Sequence, residues 1–191
     1  MLQATRREKK CRVCTTLFLP SRPLQVACCP DCAQTLARRN REKAEKRAAT
    51  IERQKTRAAL EALKSRADWL REAQAAVNRY VRLRDNDKGC VSCDRPATWD
   101  GQWHASHFRS VGAASAVRFN LWNIHKACSV CNHHLSGNLA AYRPRLVALI
   151  GQERVDWLDS QNQVVRHDIE YLKKIKRVFS KRANRIARML K

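Results

Sequence analysis

Two Cys-x-x-Cys pairs, Cys90/Cys93 and Cys128/Cys131, are separated by 34 residues, and five of the chain's six histidines lie between or just after them. Four thiolates at this spacing suit a single tetrahedral zinc ion. The segment they close is too polar to bury a core of its own, so the metal would supply folding energy that the side chains lack. A zinc held by four sulfurs has no open position and is structural. Any chemistry therefore belongs to what the metal frames.

The chain carries 39 Lys and Arg against 17 Asp and Glu in 191 residues, a formal net charge of +22. Such a charge repels itself in a compact fold, and a polyanion, nucleic acid first, is the partner it fits. A membrane is disfavoured. No apolar run approaches the length of a span, and the opening MLQATRREKK has no apolar signal core. The expected location is the cytoplasm, where nine cysteines read as metal ligands rather than disulfides.

A second metal cluster stands at the start. Cys11, Cys14 and Cys32, with Cys28 or the adjacent Cys29, would close a zinc knuckle over residues 1–36; spacing does not choose between the neighbours, and Cys28 is taken as the fourth ligand. Residues 37–66 continue as a basic helical linker. The stretch 33–66 has eleven Lys/Arg, four Asp/Glu and no Gly or Pro, so it favours helix without offering a core face. Glu42/Lys46 is an i,i+4 pair within it. It reads equally as a solvated spacer and as an arm that tracks DNA. From 67 to 84, Trp69, Ala73, Ala76, Tyr80 and Leu83 recur at helical steps and predict an amphipathic helix packed on the zinc module.

Within the module, Trp99–Phe108 reads as a strand, SVGAAS as a loop, Phe119–Ile124 as the returning strand, and Cys131–Leu139 as the start of a helix. A hairpin and helix clamped by zinc would bring His107, Asn123 and Asn132 together. Downstream, AAYRPRLVALIG predicts a short helix ending at Gly151, and 153–160 another turn or two. Residues 163–190 read as a long helix with a stripe of Val165, Ile169, Leu172, Ile175, Phe179, Ile186 and Leu190, the candidate interface of a homodimer.

These residues resemble the HNH (ββα-metal) nucleases. More specifically, ASHF, RFN, NIHKACSVCN, SGN and AYRPRLVALIG resemble the phage NinG/Rap family of recombination endonucleases. The likeness covers nearly the whole chain. It implies a mostly helical α+β fold with a zinc-stabilised, treble-clef-like ββα-metal core over 67–151, flanked by long basic helices and followed by a basic helical region at 152–191. It also implies His107 as general base, Asn123 as the residue holding the His-bearing loop, and Asn132 as a ligand of a catalytic Mg²⁺ or Mn²⁺. The expected activity is structure-selective cutting of branched DNA, Holliday junctions and D-loops, in the bacterial host's cytoplasm.

The sequence departs from the pattern at the metal. Many HNH enzymes carry an Asp or His immediately before the base, where this chain has Ser106. The NinG/Rap pattern expects Asp three residues before it, where His104 stands and is taken as the ion's other ligand. Imidazole favours Mn²⁺ or Zn²⁺ over Mg²⁺. Asp100 is a further oxygen donor to consider. Arg109 and Arg118 could clamp phosphates, and Lys126 is taken with them as a DNA contact. His125 reads as a local packing residue, His133 and His134 as phosphate contacts or caps, and Asn138 as a turn residue. The alternative is a zinc-binding nucleic-acid adaptor without catalysis.

Overall fold

The computed structural model describes residues 7–190. Residues 1–6, the start of the expected knuckle, and Lys191 lie outside the described residues. The protein is a mostly helical α+β chain with two small sheets, in two compact units that divide between Leu63 and Lys64.

The first unit opens on a two-residue hairpin, β1 (Lys9–Lys10) against β2 (Leu17–Phe18). It then runs into α1 (Pro30–Ala62), one 33-residue helix that buries none of its residues. Proline at the first helical position sacrifices no hydrogen bond and presets φ, so the helix starts inside the cysteine cluster, at Cys32's turn, and not at 37. Strong helix formers then carry it through water. Glu42 pairs with Arg38 at 4.0 Å rather than with Lys46.

The second unit is built on α2 (Arg66–Arg84). Ser65 caps it by accepting from the Asp68 amide, while Asp68 accepts from the Ser65 amide, a reciprocal box that satisfies two otherwise orphaned donors. Trp69, Ala73, Ala76, Val77 and Val81 are buried on its inner face. They pack on Leu172 and Phe179 of α5 (Ile169–Met189) and on Ala105, Phe119 and Ile124. Each fully buried Leu, Val or Phe here is worth about 1.5–3 kcal/mol.

The central hairpin pairs β3 (Trp103–His107) with β4 (Ile124–Cys128), antiparallel, with His107 opposite Ile124 and Trp103 opposite Cys128. The first strand falls inside the expected Trp99–Phe108, shortened at both ends, and the returning strand is displaced from expectation. The returning strand does not occupy 119–124, because Asn120 turns the chain there: its carbonyl accepts from Asn123 N at 3.1 Å and its side chain from Trp122 N at 2.8 Å. All five residues of β4 are buried, covered on both faces, so IHKAC shows no alternation to read. Pleating puts Trp103, Ala105 and His107 on the α2 face and His104 and Ser106 on the other.

After β4, Val130–His134 form one π-helical turn instead of a helix start. Asn138 sits in the left-handed region (φ 49°) and leads into α3 (Leu139–Ile150), which stops at Gly151 (φ 89°) as expected. Next come α4 (Gln152–Ser160), an extended run, and α5, whose start is fixed by Asp168 accepting from the Tyr171 amide at 2.7 Å. The long C-terminal helix is thus shorter than 163–190 at its front. Its apolar stripe is used within the chain: Leu172 and Phe179 are buried, and Ile169 and Ile175 pack against the same core. The middle of the stripe expected at a subunit interface lies against α2, while Val165 and Leu190 at its ends stay exposed. The intrinsic reason is that two basic amphipathic helices of one chain bury each other's faces at no cost in association entropy.

Candidate functional site

Each unit gathers four sulfurs within 4.8 Å of one another, Cys11, Cys14, Cys28 and Cys32 in the first, Cys90, Cys93, Cys128 and Cys131 in the second. Tetrahedral zinc with bonds near 2.3 Å places its sulfurs about 3.8 Å apart. Cys28–Cys32 at 3.7 Å and Cys93–Cys128 at 3.8 Å fit that spacing. Both tetrads could hold zinc. Folding also chooses between the adjacent cysteines: Cys28 joins the first tetrad, while Cys29 becomes the exposed N-cap of α1.

The second tetrad is the better supported. Cys90 Sγ accepts from the amides of Ser92 (3.4 Å) and Cys128 (3.3 Å), and Cys128 Sγ from that of Cys131 (3.4 Å). Arg95 reaches Cys93 Sγ at 3.3 Å and Cys128 Sγ at 3.4 Å. A guanidinium there offsets the net negative charge of four thiolates on a dication. Gly89 lies so close to this loop that a Cβ would fall 2.5 Å from the Arg95 carbonyl oxygen. Asn138 donates to the Ser92 carbonyl at 2.8 Å and so ties the tetrad to the start of α3. Sequence reading assigned neither Arg95 nor Asn138 this work; an Arg two residues beyond a Cys-x-x-Cys pair is the signal that could have found the first.

His107 ends β3, half-buried. Its Nε2 lies 3.0 Å from the carbonyl oxygen of Arg118. A carbonyl only accepts, so Nε2 carries the proton and Nδ1 keeps its lone pair. Burial pushes the imidazole below its ordinary range, the Arg118 carbonyl opposes that, and the Arg118 guanidinium adds to it; the ring is neutral near pH 7. Asn123 is fully buried and bonds both ends of the loop after His107. Its Oδ1 accepts from Arg109 N (2.7 Å), and its Nδ2 donates to the carbonyls of Arg109 (3.1 Å) and Val117 (3.2 Å). Val117 adjoins Arg118, so the amide that closes the loop also sets the carbonyl orienting His107.

The expected meeting of His107, Asn123 and Asn132 is only half realised. Asn132 lies on the opposite face of the hairpin, where its side-chain nitrogen donates to His104 Nδ1 at 3.0 Å, and His104 Nε2 is buried without a hydrogen-bond partner. Adjacent ligands of an octahedral ion with bonds near 2.1 Å lie about 3.0 Å apart. The contact between Asn132 and His104 is a hydrogen bond, and the pair could serve an ion only with the amide turned so that its oxygen, not its nitrogen, faces the imidazole. Burial first, then the charges of Arg82 and His133, keep His104 below its usual range and hence uncharged. No carboxylate joins it among the described residues: Asp100 is exposed and makes no hydrogen bond, and Ser106 is buried with its carbonyl facing the Tyr142 hydroxyl at 3.4 Å.

The other expected residues divide. Arg109 and Arg118 flank the His107 loop, half-buried, Arg109 bonded to the Gln161 carbonyl and Asn162, Arg118 to Gln74. Lys126, expected to touch DNA, is only 4% exposed, and its ammonium donates to the Asn86 carbonyl at 3.1 Å. It braces the hairpin against the end of α2, because the pleat turns it inward. His125 is buried beside Tyr142, 3.0 Å from its hydroxyl, and burial followed by the charge of Arg84 presses its pKa to about 4. His133 and His134 are exposed neighbours. Asp85, unread in the sequence, is buried and takes a two-pronged bond from Arg84 at 2.9 and 2.6 Å. Burial alone would raise its carboxyl, but Arg84 outweighs it and holds the group below the usual carboxylate range. No helix among the described residues is long and apolar enough to cross a membrane.

The sequence matches the family model described as "Bacteriophage Lambda NinG protein" over residues 3–188. Protein ninG of Escherichia phage lambda is 41% identical over 187 residues, covering 92% of this chain and 91% of that protein. Protein ninG of Enterobacteria phage H19B is 43% identical over 184 residues (88% of each), and that of Salmonella phage P22 39% identical over 187 residues (92% and 91%). No solved structure matches. The match runs through both cysteine tetrads, the His107 hairpin and the C-terminal helix together, and on that extent this chain belongs to the bacteriophage NinG family.

Proposed function

We propose that this protein is a metal-dependent DNA endonuclease of the HNH (ββα-metal) type, acting on branched recombination intermediates such as Holliday junctions and D-loops. One observation carries the reading: His107 is a neutral imidazole whose Nε2–H is committed to the Arg118 carbonyl, leaving Nδ1 as a proton acceptor. Phosphodiester hydrolysis needs a positioned base to take a proton from water. Asn123 acts through His107 as a positioning residue, holding the loop from both ends. His104 and Asn132 would hold a divalent ion, Mn²⁺ in preference to Mg²⁺ given the nitrogen donor. That pair lies on the opposite face of the hairpin from His107, so an ion there would neutralise phosphate charge on its own face, and His107 would act as base independently of it. Arg109 and Arg118, beside the same loop, are the cations that meet the phosphate backbone. The net charge of +22 supports a polyanionic substrate, and the choice of branched DNA rests on the family likeness. Cutting two strands of a junction suits a homodimer working in the host cytoplasm.

His107→Ala tests the reading. Cleavage of a four-way junction should fall about 10²–10⁴-fold, the usual worth of a general base, with junction affinity and zinc content unchanged. A variant that cuts at the wild-type rate refutes the base. Wild-type protein that binds junctions yet cuts none with Mg²⁺ or Mn²⁺ leaves the adaptor reading in its place.

A further inference from the structure

Of the five tryptophans, Trp69 is buried and Trp99 and Trp103 are partly covered around the second tetrad. Trp122 and Trp157 are different: they remain 38% and 41% exposed. Their rings meet edge to face, 5.6 Å between centroids at 89°, and the Arg154 guanidinium lies 5.0 Å over the Trp122 ring. Large indoles left in water at a fixed mutual angle, with a planar cation stacked on one, make a surface of aromatic and charged π-type groups.

This surface is wired to the His107 loop. Trp122 precedes Asn123 and is fixed by the Asn120 side chain. The Trp157 carbonyl accepts from Gln161 Nε2 at 3.2 Å, and the Gln161 carbonyl accepts from Arg109 at 3.3 Å. Asn123 then binds the Arg109 main chain, closing a circuit from one tryptophan to the other through the loop. Most of the local negative charge is paired; Glu153, beside Arg154, is the exposed acid of α4 without an ion-pair partner among the described residues. Asp156 and Asp159 share the helix of Trp157, but Arg143 pairs with both of them.

We propose that Trp122 and Trp157, with Arg154, form a stacking site for an unpaired DNA nucleobase at the rim of the His107 site. Every base has a π-face, so indole and guanidinium planes bind unstacked bases with little regard to sequence. Linear duplex keeps its bases stacked and offers such a surface only phosphates. A branch point, gap or single strand offers bases. The site therefore supplies a physical reason for preferring interrupted DNA; it rests on the proposed action on DNA but requires no cleavage.

The test is binding by fluorescence anisotropy, in EDTA-free buffer without added divalent ion, to three labelled DNAs: linear duplex, the same duplex with a three-nucleotide gap, and single strand. Trp122→Ala and Trp157→Ala should each weaken binding to gapped and single-stranded probes about 5- to 150-fold, the range for losing one stacked base, with duplex affinity unchanged. Trp122→Phe and Trp157→Phe should retain most of the gap preference. A 2-aminopurine in the gap should be quenched by the wild-type protein and less so by Trp122→Ala. Equal losses on all three probes, or wild-type protein that neither prefers the gap nor quenches 2-aminopurine, overturns the site. A protein that cuts junctions with no tryptophan dependence sinks this proposal alone. One that prefers gaps through its tryptophans but never cuts sinks only the nuclease.

Discussion

The two halves of the chain use the same four-cysteine device in opposite settings. In the first unit, the Cys11 tetrad is flanked by two-residue strands and a helix that buries nothing. In the second, the Cys90 tetrad packs with Ala127, Val91, Trp99, Trp103 and Val130, beside two further apolar clusters. Where a core exists, the metal need only fix the local geometry of a hairpin. Where none exists, a bound zinc would itself be the core. The difference means that an identical ligand set would be the source of folding energy in one unit and a clamp on an already supported fold in the other.

The largest consequence concerns metal removal. Structural zinc contributes about 10–16 kcal/mol of apparent binding energy, more than the first unit can replace. Chelation should strip amide protection from residues 9–29 completely, read by hydrogen–deuterium exchange. Residues 69–81 and 172–183, where α2 packs on α5, should keep theirs. If α2 and α5 lose protection as readily as the knuckle, the contrast fails.

Acid sharpens the contrast next. His125 is 5% exposed with a folded pKa of about 4 against an ordinary value near 6.5. Between those values the unfolded chain binds a proton that the folded one does not, so stability falls as pH falls from about 6.5 to about 4, by about 3 kcal/mol. Asp85 has the usual carboxylate sense: its lowered pKa adds stability above the unfolded value near 3.9, lost as pH drops through the folded value. Histidine is absent from the described residues of the first unit. Thermal melts of His125→Phe should show a flatter pH dependence between about 6.5 and 5 than wild type. Parallel curves would remove His125 from the account.

The smallest effect is at the caps. Ser65→Ala removes one side of the box that starts α2 and should cost about 1 kcal/mol, a melting shift of a few degrees in the second unit. The first unit has no counterpart, since Cys29 caps α1 without a side-chain bond. A shift several times larger would mean that the cap supports more than its own helix.

Amino-acid order alone determined much of this molecule. The tetrads follow from paired cysteines, and α2 from apolar residues at steps of three and four, because such patterns have local causes. So do α1, rich in helix formers, and the stop at Gly151, where φ is 89°. Tertiary packing decided what local pattern does not encode. It moved the return strand to Ile124–Cys128, since covering both faces of a strand erases alternation. It turned Lys126 inward, chose Cys28 over Cys29, and packed the middle of the C-terminal stripe on α2. It also brought the Arg118 carbonyl to His107 and placed Trp122 beside Trp157, contacts spanning 11 and 35 positions. Residue types announce which groups can do chemistry; only the folded backbone sets which carbonyl fixes a tautomer and which side chains remain in water.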